Sequence, residues 1–295
     1  MIKMIVVGSS AMDLVVTAKS RPKKGETIIG EAFKTIPGGK GANQAVAGSR
    51  LGADVIMLGC VGNDGFGKEI LENLSANKVC TALMECIEAA PSGTAHITLA
   101  ENDNSIIVVK GANEFITPAY IQKHVNEFKF ADIVLIQQEI PVETVDYVVD
   151  LCYELDVPII LNPAPARGVK EETIRKATYL TPNEHEANTL FRVDDYRQIL
   201  SQYPNKVFVT EGEGGVRYHD GQKEVVIATY KVDVVDTTGA GDTFNAAFAV
   251  ALAKGQVINK SLKIANRAAS LSITKFGAQG GMPTREEVER EMVVG

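Results

Sequence analysis

Tryptophan is absent from this chain and aromatic residues make up only 6% of it, so an aromatic-walled slot for a flat ring has few residues to be built from. Basic blocks are missing too. The formal net charge is −7, which argues against nucleic acid or an anionic membrane surface as the main partner and means that a polyanionic substrate needs basic groups gathered locally. No apolar run approaches bilayer length, and Met1–Gly8 is too short, and too soon followed by Asp13 and Lys19, to be a signal peptide. A soluble cytoplasmic protein is expected. Cys60, Cys80, Cys86 and Cys152 form no C-x-x-C pair and are expected to be reduced core thiols, not a disulfide frame or zinc site. The histidines (His96, His124, His185 and His219) are equally scattered and give no H-E-x-x-H pattern. Repeats, low-complexity tracts and linkers are lacking. So is the Gly-Lys-Ser/Thr order of a P-loop, and Gly8-Ser-Ser-Ala-Met-Asp13 does not complete a G-x-G-x-x-G, which removes the main support for a nicotinamide-binding dehydrogenase.

What is present is a regular alternation. With 295 residues and 45% hydrophobic content, the chain can bury a large core. Short β-rich runs at Met4–Val7, Val55–Leu58, Ile133–Ile136, Ile159–Leu161, Val207–Val209 and Val232–Val235 predict strands. Amphipathic stretches at Ala42–Leu51, Gly67–Leu74, Pro118–Phe128, Val142–Leu155 and Glu184–Phe191 predict helices between them. The expected fold is a three-layer α/β domain, a mostly parallel sheet with helices on both faces, whose strand ends are where ligands bind. Val15–Ile36 and Gly93–Lys110 lack a helical period and read as strands with turns, the second broken at Glu101-Asn-Asp-Asn104. They are expected to form one small β lid, from insertions at about 12–37 and 92–111, within a single 1–295 domain.

The chemistry gathers at Asp236-Thr-Thr-Gly-Ala-Gly-Asp242, where the Val232–Val235 run gives way to a long apolar helix through Phe244 and Phe248. Gly239, Ala240 and Gly241 then sit at a helix N-terminus, where unpaired amides and the macrodipole favour an anion and small residues let it come close. In isolation Asp242 is better explained by stabilisation of the helix end; the functional reading is that it takes a proton from an attacking hydroxyl while the amides neutralise a phosphate. Pro37-Gly-Gly-Lys-Gly-Ala-Asn43 offers a second close backbone approach ahead of a helix, with Lys40 and Asn43 as donors. Glu139 follows an apolar strand and could bind a ligand or cap the next helix. Asn183 and Glu186, three apart, could hold hydrated Mg²⁺ or form a helix cap. Thr210-Glu-Gly212-Glu-Gly-Gly215 suits a hairpin or a nucleotide approached by backbone.

Gly38-Gly-Lys-Gly-Ala-Asn43 and Asp236-Thr-Thr-Gly-Ala-Gly-Asp242 resemble the two signatures of the PfkB-type (ribokinase-type) sugar-kinase family. Asn162-Pro-Ala-Pro-Ala166, Asn183-x-x-Glu186, Thr210-x-Gly212 and Gly277-Ala-Gln279 follow in the family's order, so the resemblance covers the whole chain. It implies that Asp242 is the general base and that Gly239, Ala240 and Gly241 form the anion hole. Asp13, Gly39, Lys40, Gly41, Asn43 and Glu139 are then sugar-side positions. Asn183 and Glu186 match the Mg²⁺ and phosphate motif, and Thr210, Gly212, Gly215 and Asn266 the nucleotide side. The resemblance also implies K⁺ activation, with Asp236, Thr238, Ser272, Gly277 and Gly281 around the cation, and a homodimer formed through the lid.

The chain departs from the family at three places. Ala11 stands where a bacterial member carries a sugar-contacting asparagine, Gly281 replaces a serine that helps hold the cation, and Arg192–Asn205 is short for one of the usual helices. The expected activity is ATP-dependent phosphorylation of the primary 5-hydroxyl of D-ribose. 2-Deoxyribose, another sugar or a nucleoside is the alternative acceptor, and a catalytically silent sugar sensor is the reading from another class. With Phe33 the only Phe or Tyr in the first lid insertion, the nucleoside reading is weaker.

Overall fold

The computed structural model describes residues 1–101 and 103–294; Asn102, inside the expected Glu101–Asn104 turn, lies outside the described residues. Five parallel strands form the central sheet: β1 (Lys3–Val7), β4 (Asp54–Leu58), β9 (Ile133–Ile136), β10 (Ile159–Leu161) and β11 (Tyr179–Leu180), in the order β11-β10-β9-β1-β4. A period of two assigns their side chains to opposite faces. Met4, Val6, Leu135 and Ile160 pack on one side with α1 (Lys40–Arg50), α8 (Ala240–Ala253), α9 (Ile258–Ser272) and α10 (Arg285–Val294). Ile5, Val7, Val134 and Ile136 pack on the other with α3 (Pro118–Gln122), α5 (Val142–Glu154), α6 (Glu171–Lys176) and α7 (Glu184–Phe191). This is the expected three-layer α/β architecture.

Past β11, bridges from Leu180 to Val207 and from Asn183 to Thr210 lead to an antiparallel meander of β12 (Val209–Thr210), β13 (Val216–His219) and β14 (Glu224–Ile227). Beyond β4, β5 (Cys60–Gly62) pairs with β6 (Glu85–Ile87) around α2 (Gly65–Ala76). A separate four-stranded sheet comprises β2 (Ala11–Thr17), β3 (Ala32–Gly38), β7 (Gly93–Ala100) and β8 (Asp103–Val109), ordered β3-β2-β7-β8. Its middle pair is parallel and its outer pairs antiparallel.

Four local expectations are corrected. Val232–Val235 is extended but forms no strand: beyond the end of β14 it has no ladder to join, Val234 and Val235 are exposed, and Val235 N bonds only to Ile273 O at 2.8 Å. Pro118–Phe128 divides into α3 and α4 (Val125–Phe128), a bend that lets Tyr120, Ile121 and Phe128 all reach the core. Only Val209 of the Val207–Val209 run lies in a strand, Val207 making the isolated bridge to Leu180. Cys60 and Cys152 are buried thiols, but Cys80 and Cys86 are exposed. Arg192–Asn205 holds a 3₁₀ turn at Tyr196–Gln202. Among the described residues no helix is long and apolar enough to cross a membrane.

Candidate active site

The C-terminal ends of the central strands deliver the polar residues. Ser9 follows β1, Glu139 follows β9, Asn162 follows β10 and Asn183 follows β11, the side of a parallel sheet where ligands bind. Two helices point their N-termini into the same place. At the start of α8, Gly239 has φ +79°, and a Cβ there would lie 2.8 Å from Ala278 O, so the turn requires glycine. Gly241 has open space where a Cβ would stand, leaving the first-turn amides approachable. At the start of α1, a Cβ on Gly39 or Gly41 would press into the backbone at Ser10 or Gly8, which brings Lys40 down onto the strand ends.

Asp242 is 7% exposed. Its Oδ2 accepts from Asn43 Nδ2 at 2.9 Å and its Oδ1 from Gln44 Nε2 at 3.0 Å. Asn43 Oδ1 in turn accepts from Gln279 Nε2 at 3.0 Å, and Gln44 Oε1 from Gln137 Nε2 at 2.6 Å. Burial pushes the Asp242 carboxyl up; Lys40 and the two amide donors oppose it, and Glu139 adds to it. Burial would lower Lys40, yet Asp242, Glu139 and Glu186 together hold its ammonium above the usual value. Glu139 Oε2 accepts from Ser9 Oγ and from Lys40 N at 3.1 Å, so it caps α1 and not the helix that follows it in sequence. Asp13, on β2 beside Gly38, is pushed up to about 7 by burial, by Glu139 and by Asp242. The cluster can therefore bind a hydroxylated ligand, hold a proton acceptor and present one cation.

The flanking groups divide. Asn183 and Glu186 form a capping box, Asn183 Oδ1 accepting from Glu186 N and Glu186 Oε2 from Asn183 N, both at 2.8 Å. Burial still raises Glu186. No group of three His, Cys, Asp or Glu suited to a metal occurs among the described residues. One carboxylate with an open side fits Mg²⁺, which takes its remaining oxygens from phosphates and water. Thr210 sits beside Asn183, and Gly212 is open around its Cα. Gly215 instead answers a packing demand: it has φ +91°, and a Cβ would meet Ile227 O at 2.1 Å. Asn266 does not come to the surface of the site; it is 4% exposed and its Nδ2 donates to Ile227 O at 2.8 Å and Ala228 O at 3.1 Å.

Asp236 ties the α8 loop to the 277–281 turn, with Oδ1 accepting from Thr238 N at 2.9 Å and Oδ2 from Gly277 N at 2.8 Å. Burial opposes ionisation, but these bonds win and hold Asp236 below the usual carboxylate range, so it is an anion at this turn. Gly281 packs on Ser272 so closely that a Cβ would stand 1.8 Å from Ser272 O. The sequence reading missed Ser9, Gln44 and Gln137 and left Gln279 without a role. Gln44 carried a signal: it stands beside Asn43 in the otherwise small, apolar run Ala42–Ala47 and has no solvent exposure. A mainly apolar cavity of about 330 Å³ between α8, α9 and α10 shares no residue with this cluster.

An α/β sheet whose strand ends gather carboxylates, one lysine and the N-terminus of α8 defines a phosphoryl-transfer enzyme acting on a hydroxylated small molecule. The chain belongs to the pfkB family of carbohydrate kinases, whose family model matches residues 1–285. It is 63% identical over 284 residues to the ribokinase of Bacillus subtilis (strain 168), covering 96% of this chain and 97% of that one. Identity to the ribokinase of Lactococcus lactis subsp. lactis (strain IL1403) is 45%, over 99% of this chain and 97% of that one. Among solved structures, Arabidopsis thaliana ribokinase complexed with ribose and ATP superposes with a TM-score of 0.91 at 34% identity, covering 98% of each chain.

Proposed function

We propose that this chain transfers the γ-phosphoryl group of ATP to the primary 5-hydroxyl of D-ribose, yielding ribose 5-phosphate and ADP. Membership of the carbohydrate-kinase family and full-length similarity to ribokinases support the reaction class and the sugar. The observation that carries the reading is the buried Asp242 carboxylate, held by two amides at the N-terminus of α8. Asp242 takes the hydroxyl proton. The ribose oxygen then forms its bond to the γ-phosphorus as the bond from that phosphorus to the β,γ-bridging oxygen breaks, and ADP leaves. The Gly239, Ala240 and Gly241 turn offers amides to the charge on the transferring group.

On the sugar side, Asp13, Lys40, Asn43 and Glu139 supply charge and donors, with Gly39 and Gly41 allowing close approach. The nucleotide side comprises Asn183, Thr210 and Gly212, while Gly215 and Asn266 shape the adjoining backbone. Glu186 would hold Mg²⁺, which when bound neutralises phosphate charge. Asp236 and the carbonyls of Thr238, Ser272 and Gly277 would hold K⁺ beside the anion hole, adding positive charge there; Gly281 contributes no side-chain oxygen. In the lid, Ile106 and Val108 share the face of Asp13, whereas Phe33 and Ile107 crowd the other face, 62% and 70% exposed. A second copy of the chain covering this apolar sheet would give a homodimer.

ADP release measured with ribose, 2-deoxyribose, fructose and adenosine, in potassium and in choline salts, tests the reading. Ribose should be the best acceptor and potassium should raise the rate. Ala11, buried at the start of β2, offers no amide to a hydroxyl, so measurable turnover of 2-deoxyribose is expected beside ribose. Asp242→Asn should lower kcat by roughly 10²- to 10⁴-fold with ribose KM little changed; near-normal turnover in that variant would remove Asp242 as the base.

A further inference from the structure

We propose that Gln44 is a positioning residue for phosphoryl transfer, its side-chain amide fixing the orientation of the Asp242 carboxylate and itself turned by Gln137. The inference rests on the assignment of Asp242 as the base. Gln44 lies on α1, has no solvent exposure and makes no use of its polarity except inside this cluster. Its two N–H groups have two acceptors, Asp242 Oδ1 at 3.0 Å and Asn162 Oδ1 at 3.2 Å. Were the amide reversed, its oxygen would face those two oxygens, so one orientation is enforced by Asp242 and Asn162. Gln137 Nε2 secures it from behind, donating to Gln44 Oε1 at 2.6 Å. Asn162 is held as well, its Nδ2 donating to Thr181 O at 3.1 Å.

With Asn43 on Oδ2 and Gln44 on Oδ1, the plane of the carboxylate is set from both sides, while each oxygen keeps acceptor capacity for the incoming hydroxyl. Hydrogen bonds to the charged form also favour it. That matters here because burial and Glu139 oppose ionisation of Asp242, and among the described residues Lys40 is the one cation that offsets them; Asp13 on β2 and Glu186 on α7 are further carboxyls that face the cluster.

The test is the pH profile of kcat, at saturating ribose and Mg-ATP, for the unmodified enzyme, Gln44→Met and Gln137→Met. Gln44→Met keeps length and removes both donors. Its acidic limb should move up by about one pH unit, its kcat at neutral pH should fall about tenfold, and its ribose KM should stay within about threefold. Gln137→Met leaves the donor but frees it to turn, so the same limb should move in the same direction by less. A merely structural role would lower yield or stability without moving the limb. An unmoved limb in Gln44→Met overturns the proposal whether or not its kcat falls, and if that variant does not fold, an unmoved limb in Gln137→Met does so. Asp242→Asn separates the two ideas. Near-normal turnover there removes the base and this inference together, whereas an inactive Asp242→Asn with an unmoved Gln44→Met limb removes this inference alone.

Discussion

At the scale of single residues, the cost of the cluster is clearest at Asp13. Its carboxyl is pushed up to about 7 by burial and by the neighbouring Glu139 and Asp242, well above the roughly 3.9 of an unfolded aspartate. The native state therefore binds this proton more tightly than the unfolded chain does. Stability contributed by the neutral form falls as pH rises from about 4 to about 7, and above that the full penalty of a buried negative charge remains. Asp13→Asn keeps the shape and removes the charge. It should raise Tm at pH 8 by on the order of 5 °C and change it little at pH 4, while weakening ribose binding. Thermal melts at the two pH values with ribose titrations check this; an equal Tm change at both would show that charge is not the cause. Met12, next to Asp13, is fully buried among the core side chains.

At the scale of elements, the turn after α9 shows how one substitution can be locked in by its surroundings. By the resemblance Gly281 replaces a serine, and in the proposed potassium site a serine there would offer the cation one more oxygen. The packing argues otherwise, because any Cβ at 281 would fall 1.8 Å from Ser272 O, which must itself move. Such overpacking typically costs about 1–3 kcal/mol. Gly281→Ser should accordingly lower Tm by a few degrees and leave the potassium concentration for half-activation no lower, as read from melts and from rates across a potassium series. A stable variant with tighter potassium activation would show that the 272–273 and 277–281 segments can separate to admit the hydroxyl.

At the scale of the whole molecule, the four-stranded lid is the part least able to stand alone. Phe33, Ile106, Ile107, Val108 and Val109 are all exposed, and β8 carries apolar residues on both of its faces. In the proposed dimer a second copy would cover the face of this sheet that points away from Asp13. Phe33→Lys combined with Ile107→Lys should convert a dimer to a monomer in light scattering at micromolar concentration and raise the ribose KM. A monomeric unmodified protein with full activity would refute the lid-paired dimer.

Much of this was legible in the chain itself. Short, continuously apolar runs marked the buried parallel strands, period-3.6 runs marked the covering helices, and Gly239-Ala-Gly-Asp242 ahead of an apolar stretch marked a glycine-rich helix N-terminus, because backbone geometry couples those patterns to local conformation. Where a pattern met no partner it misled: Val232–Val235 has the composition of a strand, but strand formation needs a neighbouring ladder, and none stands beside it. What only the tertiary structure decided was the company each functional group keeps. Asn43 and Asp242, 199 positions apart, touch because β1 and β9 lie side by side in a strand order that departs from chain order, with α1 and α8 packed over them. The same convergence turns Gln44 and Gln137, unremarked in the sequence, and Gln279, there only part of a motif, into the supports of one carboxylate. Spacing along a chain encodes local conformation, whereas the pairing of buried polar groups is set by which elements pack together, so it is read only from the folded molecule.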